Sequence, residues 1–187
     1  MKRLQTALAE VAKALDAAGV GYMVIGGMAH VAWGSARSTV DVDLTVLLAP
    51  EDVPELLRIL RRQIANLPED PAGFAAETGV LPFAHRNGVR VELMLATHPY
   101  AQTAIDRAIS IDVLGTPVRF CTPEDLVLHK IISDRERDRS DVQDLLERRG
   151  KELDREYLDP RVHELATLLE RPEIETRYRS LLAVTRS

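Results

Sequence analysis

The chain has 187 residues, a charged fraction of 28% and a formal net charge of -5 at pH 7. This length allows one good hydrophobic core with a small appendage, and the acidic balance excludes the overall basic excess typical of nucleic-acid-binding proteins. Cys121 is the single cysteine, which excludes an internal disulfide. Because the sequence has neither a signal-peptide pattern nor an apolar run of bilayer length, we expect a cytoplasmic protein without membrane contact.

The first third of the chain alternates helix and strand patterns. Apolar residues recur at helical spacing near the start and predict an amphipathic helix over residues 2 to 18. A short apolar run between glycines predicts a buried strand over residues 22 to 25. A short helix over residues 28 to 34, a second strand over residues 40 to 48 and a helix over residues 51 to 65 are predicted to follow.

The middle of the chain predicts two hairpins. A looser stretch with prolines and glycines, residues 68 to 79, comes first. The Asn87-Gly88 pair is a strong hairpin signal and connects strands predicted over residues 80 to 84 and 89 to 95. A second hairpin is predicted to turn on Gly115-Thr116, between residues 111 to 114 and 117 to 120.

The pattern changes near residue 121. Thr122 followed by Pro123 and two acids is a typical helix start, and the chain reads as helical from there to near its end. We therefore predict an α/β (α+β) protein, with a mixed core over residues 1–121 and a helical subdomain over residues 122–187 packed on that core.

Two carboxylates on the second predicted strand are the main candidates for chemistry. Asp41 and Asp43 alternate along the strand, so they point the same way with Cα atoms about 6 to 7 Å apart. Such a pair suits one or two Mg²⁺ ions, which take oxygen ligands and bridge phosphate oxygens. The preceding Gly26-Gly27 pair opens a short helix, where bare backbone N–H groups favour phosphate.

A third carboxylate is available on a later predicted strand. Glu92 is a lone charge among alternating apolar residues. Placed near the metals, it would bind metal or act as general base toward an attacking hydroxyl. Arg37, Ser38 and Thr39, just before the aspartate pair, either cap or cross a loop or contact the triphosphate or the acceptor.

This arrangement resembles the nucleotidyltransferase superfamily, in which a glycine pair or Gly-Ser is followed by Asp-x-Asp and a later strand carboxylate. The second half of the chain is similar to the abortive-infection type nucleotidyltransferase toxins. That similarity is carried by Lys130-Ile131-Ile132, by Arg135-x-Arg137-Asp138 and by Asp141-Val142. Together the two resemblances cover most of the chain.

The resemblance implies a nucleotidyltransferase fold, with a small mixed sheet flanked by helices, and an enzyme that moves NMP from an NTP to a hydroxyl with Mg²⁺ or Mn²⁺. It also implies that Lys130 and either Asp138 or Asp141 contribute to the activity. Lys130 lies among apolar residues, so we expect its ammonium to reach the nucleotide. For Asp138 and Asp141, helix-surface ion pairs with nearby arginines are the alternative.

The acceptor stays open at this stage. A tRNA 3′ end, a protein side chain or a small molecule such as an aminoglycoside all fit, and the resemblance implies a toxin–antitoxin or phage-defence setting with a possible cognate antitoxin. A catalytically inactive nucleotide-binding or regulatory module is the alternative function, and the position of Glu92 relative to the aspartates separates the two. The histidines match no zinc-ligand spacing and receive no catalytic role.

Overall fold

A computed structural model describes residues 1–36 and 38–184. The strands within them are β1 (Tyr22–Val24), β2 (Asp41–Val46), β3 (Ile64–Asn66), β4 (Val80–His85), β5 (Arg90–Leu95), β6 (Ile109–Val113) and β7 (Thr116–Phe120). They form one mixed sheet in the order β3-β4-β5-β2-β1-β7-β6. The helices are α1 (Lys2–Ala17), α2 (Gly26–Ala32), α3 (Val53–Leu60), α4 (Pro71–Thr78), α5 (Pro99–Arg107), α6 (Pro123–Ile131), α7 (Glu136–Arg149), α8 (Arg155–Leu168) and α9 (Glu173–Val184).

The chain divides into two compact units. The first contains residues up to Ala29 and residues from Ser38 to Cys121, and the second contains His30 and the residues that follow it before Ser38, together with the chain from Thr122 onward. Helix α2 therefore begins in the first unit and ends in the second. The predicted mixed α/β class is confirmed. None of the described helices is long and apolar enough to span a membrane.

The central strand of the first unit is β2, which pairs antiparallel with β1 and parallel with β5. Its even positions, Val42, Leu44 and Val46, are completely buried. Helix α1 buries its own apolar stripe and contacts β2, β6 and β7. This alternation leaves the odd positions of β2, including both aspartates, on the other face of the sheet.

The prediction of one helix over residues 51 to 65 is wrong beyond residue 60. A 3₁₀ turn, Pro50–Asp52, precedes α3, which ends at Leu60. The chain then turns, and β3 pairs antiparallel with β4 at the edge of the sheet. The Arg86 amide donates to the carbonyl of Gln63 at 2.9 Å and fixes this pairing. Sheet pairing therefore overrides the helical propensity of this segment.

Two helices are absent from the sequence prediction. In α4, Pro71 occupies the first turn, the Asp70 side chain accepts from the Gly73 amide, and Gly79 ends the helix at φ 70°. These turn-forming residues are helix caps rather than breaks. Helix α5 begins in the same manner, with His98 as its cap.

The hairpin between β4 and β5 is confirmed, with Gly88 at φ 83°. The second hairpin is confirmed with its turn shifted by one residue, because Val113 pairs with Thr116 and the turn is Leu114-Gly115, both at positive φ. Thr122 caps α6 as predicted, accepting a hydrogen bond from the Asp125 amide.

Candidate active site

Asp41 and Asp43 lie on one face of β2, and the parallel strand β5 brings Glu92 beside them. The register pairs Asp41 with Arg90 and Asp43 with Glu92. Partners in register on parallel strands share a face, so all four side chains stand on the same side of the sheet. Both aspartates and Glu92 are half-buried. The structure therefore brings together the three carboxylates that the sequence singled out.

The glycine pair fits closely against this row. Gly26 has a φ of 62°, and a Cβ there would lie 2.8 Å from Cγ of Asp43. The Ile25 amide donates to the Asp43 carbonyl at 3.0 Å. Any other residue at position 26 would be strained and would displace the Asp43 carboxylate.

The second glycine accommodates Thr39. A Cβ at Gly27 would lie 2.7 Å from Cβ of Thr39. Thr39 is a buried residue of the loop before β2, and its hydroxyl donates to Oδ1 of Asp41 at 2.9 Å. Thr39 therefore orients Asp41. No sequence pattern indicates this role, since nothing in a loop threonine reveals which carboxylate it contacts.

Glu92 is paired with Arg90 of its own strand. In the described part of the chain, no group of three His, Cys, Asp or Glu side chains is arranged to hold a metal ion. Asp41 and Asp43 fit a divalent cation by donor type and shared face. Glu92 stands in register with them, but its carboxylate is directed to the guanidinium.

The second unit contains a buried ion-pair cluster, which we call the Lys130 cluster: Lys130, Asp138 and Asp141. The Lys130 ammonium donates to Oδ1 of Asp138 at 2.8 Å and to Oδ2 of Asp141 at 2.6 Å. The Lys130 and Asp141 side chains are only 7% and 6% exposed, so these are interior contacts and not helix-surface ion pairs. The structure thus brings together the residues of α6 and α7 that the sequence identifies as candidates.

Asp138 has a lowered pKa. Burial opposes its ionisation, but hydrogen bonds donated by Lys130 and Ser133 and the Lys130 charge outweigh burial and hold the pKa below its usual range. The Ser133 hydroxyl donates to Oδ2 of Asp138 at 2.7 Å. Lys130 and Ser133 therefore favour the charged form of the Asp138 carboxylate.

His30, at the end of α2, is buried against the Lys130 cluster. Nδ1 lies 3.2 Å from Oδ1 of Asp141, and Nε2 lies 3.2 Å from Oδ2 of Asp144. Neither contact has hydrogen-bond geometry. A cavity of about 350 Å³ adjoins it, lined by His30, Ser35, Arg137, Ser140, Asp141 and Asp144. No sequence pattern indicates a role for His30, because its carboxylate neighbours lie more than 100 residues along the chain.

The sequence predicts phosphate contacts at Arg37 and Ser38. Ser38 is exposed on the loop before β2. Arg37 lies outside the described residues.

Comparison with known families identifies the class. Residues 1–186 match the family described as "Nucleotidyltransferase of unknown function (DUF6036)". The chain therefore belongs to this nucleotidyltransferase family and is a nucleotidyltransferase enzyme, which confirms the superfamily resemblance. No curated protein matches the chain.

Solved structures share the fold. An antigenic nucleotidyltransferase-like protein from Paracoccidioides brasiliensis is 18% identical with a TM-score of 0.57, covering 95% of this chain and 92% of that one. The antibiotic-resistance factor ANT(2'')-Ia is 15% identical with a TM-score of 0.58, covering 95% and 94%. At these identities the similarity establishes the nucleotidyltransferase fold, with a mixed sheet flanked by helices.

Proposed function

We propose that this enzyme transfers an NMP group from an NTP to a hydroxyl of an acceptor, with Mg²⁺ or Mn²⁺ as cofactor. One observation carries the proposal: Asp41, Asp43 and Glu92 form a row on one sheet face, beside a glycine pair that only glycine can occupy. Carboxylates in such a row supply oxygen ligands, and the glycines permit close approach of phosphate.

Each residue of the row has a distinct part. The cation, held by Asp41 and Asp43, would supply charge neutralisation at the triphosphate. Thr39 fixes the orientation of Asp41, and Gly26 leaves room for Asp43. Glu92 would act as general base or as a further ligand after turning away from Arg90. The backbone of the glycine pair, with Ser38 and with Arg37 as the sequence predicts, would contact the phosphates.

The transfer is a single displacement at the α-phosphorus. The acceptor oxygen forms a bond to this phosphorus, and the bond from the α-phosphorus to the α,β-bridging oxygen breaks. Pyrophosphate leaves with that electron pair. The hydroxyl proton passes to the Glu92 carboxylate and then to solvent.

The Lys130 cluster is the second functional group in this proposal. Family resemblance assigns activity to Lys130 and to Asp138 or Asp141. Burial of an ammonium between two carboxylates costs solvation energy that surface residues avoid. This cost supports a functional role for the cluster. We assign the cluster to support of nucleotide transfer, with Asp138 and Asp141 holding the ammonium in place.

The biological setting is part of the proposal. The resemblance of the second half to abortive-infection toxins supports a cytoplasmic toxin–antitoxin or phage-defence enzyme whose acceptor is a tRNA, a protein or a small molecule. ANT(2'')-Ia, which shares the fold, is an antibiotic-resistance factor. A small regulator encoded next to this chain would support the toxin–antitoxin setting.

A second candidate has one observation in its favour. Glu92 is paired with Arg90 and the three carboxylates do not form a ready metal site among the described residues. A nucleotide-binding regulatory module without turnover would have this feature. Transfer by wild type that Glu92→Gln abolishes would identify an enzyme, whereas metal-dependent nucleotide binding without any transfer by wild type would identify a binding module.

Metal-dependent nucleotide binding is the first test. Mg²⁺ or Mn²⁺ with the correct NTP should raise the melting temperature, since a ligand at 100 times its Kd stabilises the folded state by about 2.7 kcal/mol. Asp41→Asn and Asp43→Asn should fold and lose this shift, whereas Asp106→Asn, exposed on α5, should keep it. The absence of a shift with all four NTPs in wild type would remove the proposal.

A further inference from the structure

The strands β4 and β5 have one closed and one open face. On the closed face, Leu81 and Leu93 are completely buried. On the other face, Pro82 lies opposite Glu92 and Ala84 lies opposite Arg90. The side chains of this face are half-buried or exposed, and we call them the β4–β5 shelf: Val80, Pro82, Ala84, Arg90, Glu92 and Met94.

A cavity adjoins the shelf on the side away from Asp43. It measures about 340 Å³. Pro82, Ala84 and Arg90 reach it from the shelf, and Asn66, Leu67 and Pro68 enclose it from the edge strand β3 and the loop that follows. The cavity thus combines a flat apolar surface with one guanidinium, that of Arg90. Arg90 lies on β5, the strand next to the one that carries Asp43.

Among the described residues that line the cavity, Arg90 has the one cationic side chain. Its side chain is 68% exposed and that of Glu92 is 32% exposed. A pair this exposed is weak, so an incoming anion competes with it easily. Departure of Arg90 would leave the Glu92 carboxylate free beside Asp43, where the proposed function requires it.

We propose that this cavity is the acceptor subsite and that Arg90 selects an acceptor that carries a phosphate group near its reacting hydroxyl. The inference rests on the proposed function, because the general base Glu92 defines where the hydroxyl must stand. The phosphate binds the guanidinium fork, and the flat part of the acceptor lies on the prolines. Occupation of the subsite thereby releases the base that the reaction uses.

The selection excludes one class of acceptor. A polycationic aminoglycoside brings positive charge to Arg90, so it does not displace Arg90 from its ion pair with Glu92. A free sugar phosphate and the terminal nucleotide of a nucleic acid share the required phosphate and hydroxyl. The proposal therefore concerns that shared chemistry, and the test separates the two sources.

Acceptor binding is measured by calorimetry on protein loaded with Mg²⁺ and a non-hydrolysable α,β-methylene triphosphate, which fills the phosphate site of the NTP. Ribose 5-phosphate should bind at least about tenfold more tightly than ribose, as expected for a charge-assisted contact. Arg90→Gln should abolish this preference, and Arg62→Gln, an exposed arginine on the turn after α3, should retain it. A dinucleotide that binds more tightly than ribose 5-phosphate identifies a nucleic-acid end, and the reverse order identifies a free sugar phosphate.

A second readout needs neither nucleotide nor acceptor. Arg90→Gln should bind Mn²⁺ about threefold more tightly than wild type, because Glu92 loses its counter-ion, and the gain should vanish in Arg90→Gln/Glu92→Gln.

Failure of the triphosphate analogue to load would count against the proposed function, and the sugar titrations on unloaded protein would still report on Arg90. Three results would overturn the acceptor inference. They are equal binding of ribose and ribose 5-phosphate, a preference for ribose 5-phosphate that is unchanged in Arg90→Gln, and tighter binding of the aminoglycoside kanamycin than of ribose 5-phosphate.

Discussion

The carboxylate of Asp43 lies against the α-carbon of Gly26, so the glycine and the metal-ligand candidate occupy one shared space. A Cβ at position 26 would come within 2.8 Å of Cγ of Asp43. The Asp43 side chain therefore requires a glycine at this position, independently of any phosphate. A substitution of Gly26 therefore affects stability in two separable ways, through backbone strain and through collision of the new Cβ with Asp43.

Gly26→Ala should lower the free energy of unfolding more than Gly19→Ala. Both glycines have φ near 65°, at 62° and 69°, so both variants incur about 1 kcal/mol of backbone strain. Gly19 has nothing within 4 Å of its added Cβ, whereas Gly26 adds a collision that costs about 1 to 3 kcal/mol. Urea unfolding measures both. Equal losses in the two variants would show that the Asp43 contact is unimportant.

Thr39→Val should weaken Mn²⁺ binding about tenfold or more while reducing stability by about 1 kcal/mol. Valine keeps the shape beside Gly27 and removes the hydroxyl that donates to Asp41. Thr39→Ser, which keeps the donor, should retain most of the affinity. Calorimetric titration with Mn²⁺ decides this, and similar affinities for the valine and serine variants would show that Thr39 does not orient the ligand.

Lys130→Ala should destabilise the protein by about 3 kcal/mol or more, because two carboxylates are left without their cation in a buried setting. Lys13→Ala, which removes an exposed lysine from α1, is the matched control and should change stability little. Asp138→Asn and Asp141→Asn added to Lys130→Ala should recover part of the loss. Denaturant unfolding is the measurement, and a Lys130→Ala protein as stable as the control would contradict the buried cluster.

Asp138 should make stability depend on pH in the acid range. Its folded-state pKa lies below the unfolded value of about 3.9. The stabilisation is therefore fully present above the unfolded value and is lost as pH falls through the folded-state pKa. Unfolding free energies of wild type and Asp138→Asn should differ at pH of about 6 and converge toward low pH. Ser133→Ala, which removes one donor to Asp138, should show a smaller pH dependence than wild type.

Much of the fold follows from sequence patterns because they are local. The spacing in α1, the Asn87-Gly88 turn and the Thr122 cap each lie within a few residues of the structure that they specify. Helix α4 was missed because its proline and glycine are also turn residues, and only the hydrogen bond from Gly73 to Asp70 distinguishes a cap from a loop.

The carboxylate row was predictable, and its surroundings were not. Alternation along β2 placed Asp41 and Asp43 together, and one isolated charge in an apolar strand identified Glu92. The pairing of Glu92 with Arg90 and the hydroxyl of Thr39 on Asp41 depend on side-chain rotamers. The contacts of His30 with Asp141 depend on packing between distant segments. Sequence spacing carries no information on either.

Label transfer tests the central claim most directly. Purified protein with Mn²⁺ is given each NTP in turn, labelled either at the α-phosphate or at the γ-phosphate, together with fractions of RNA, protein and small molecules. The account predicts that α-label appears on an acceptor and γ-label is released as pyrophosphate, and that Asp43→Asn and Glu92→Gln abolish both. Label transferred from the γ-position, or α-label transfer undiminished in Asp43→Asn, would contradict it.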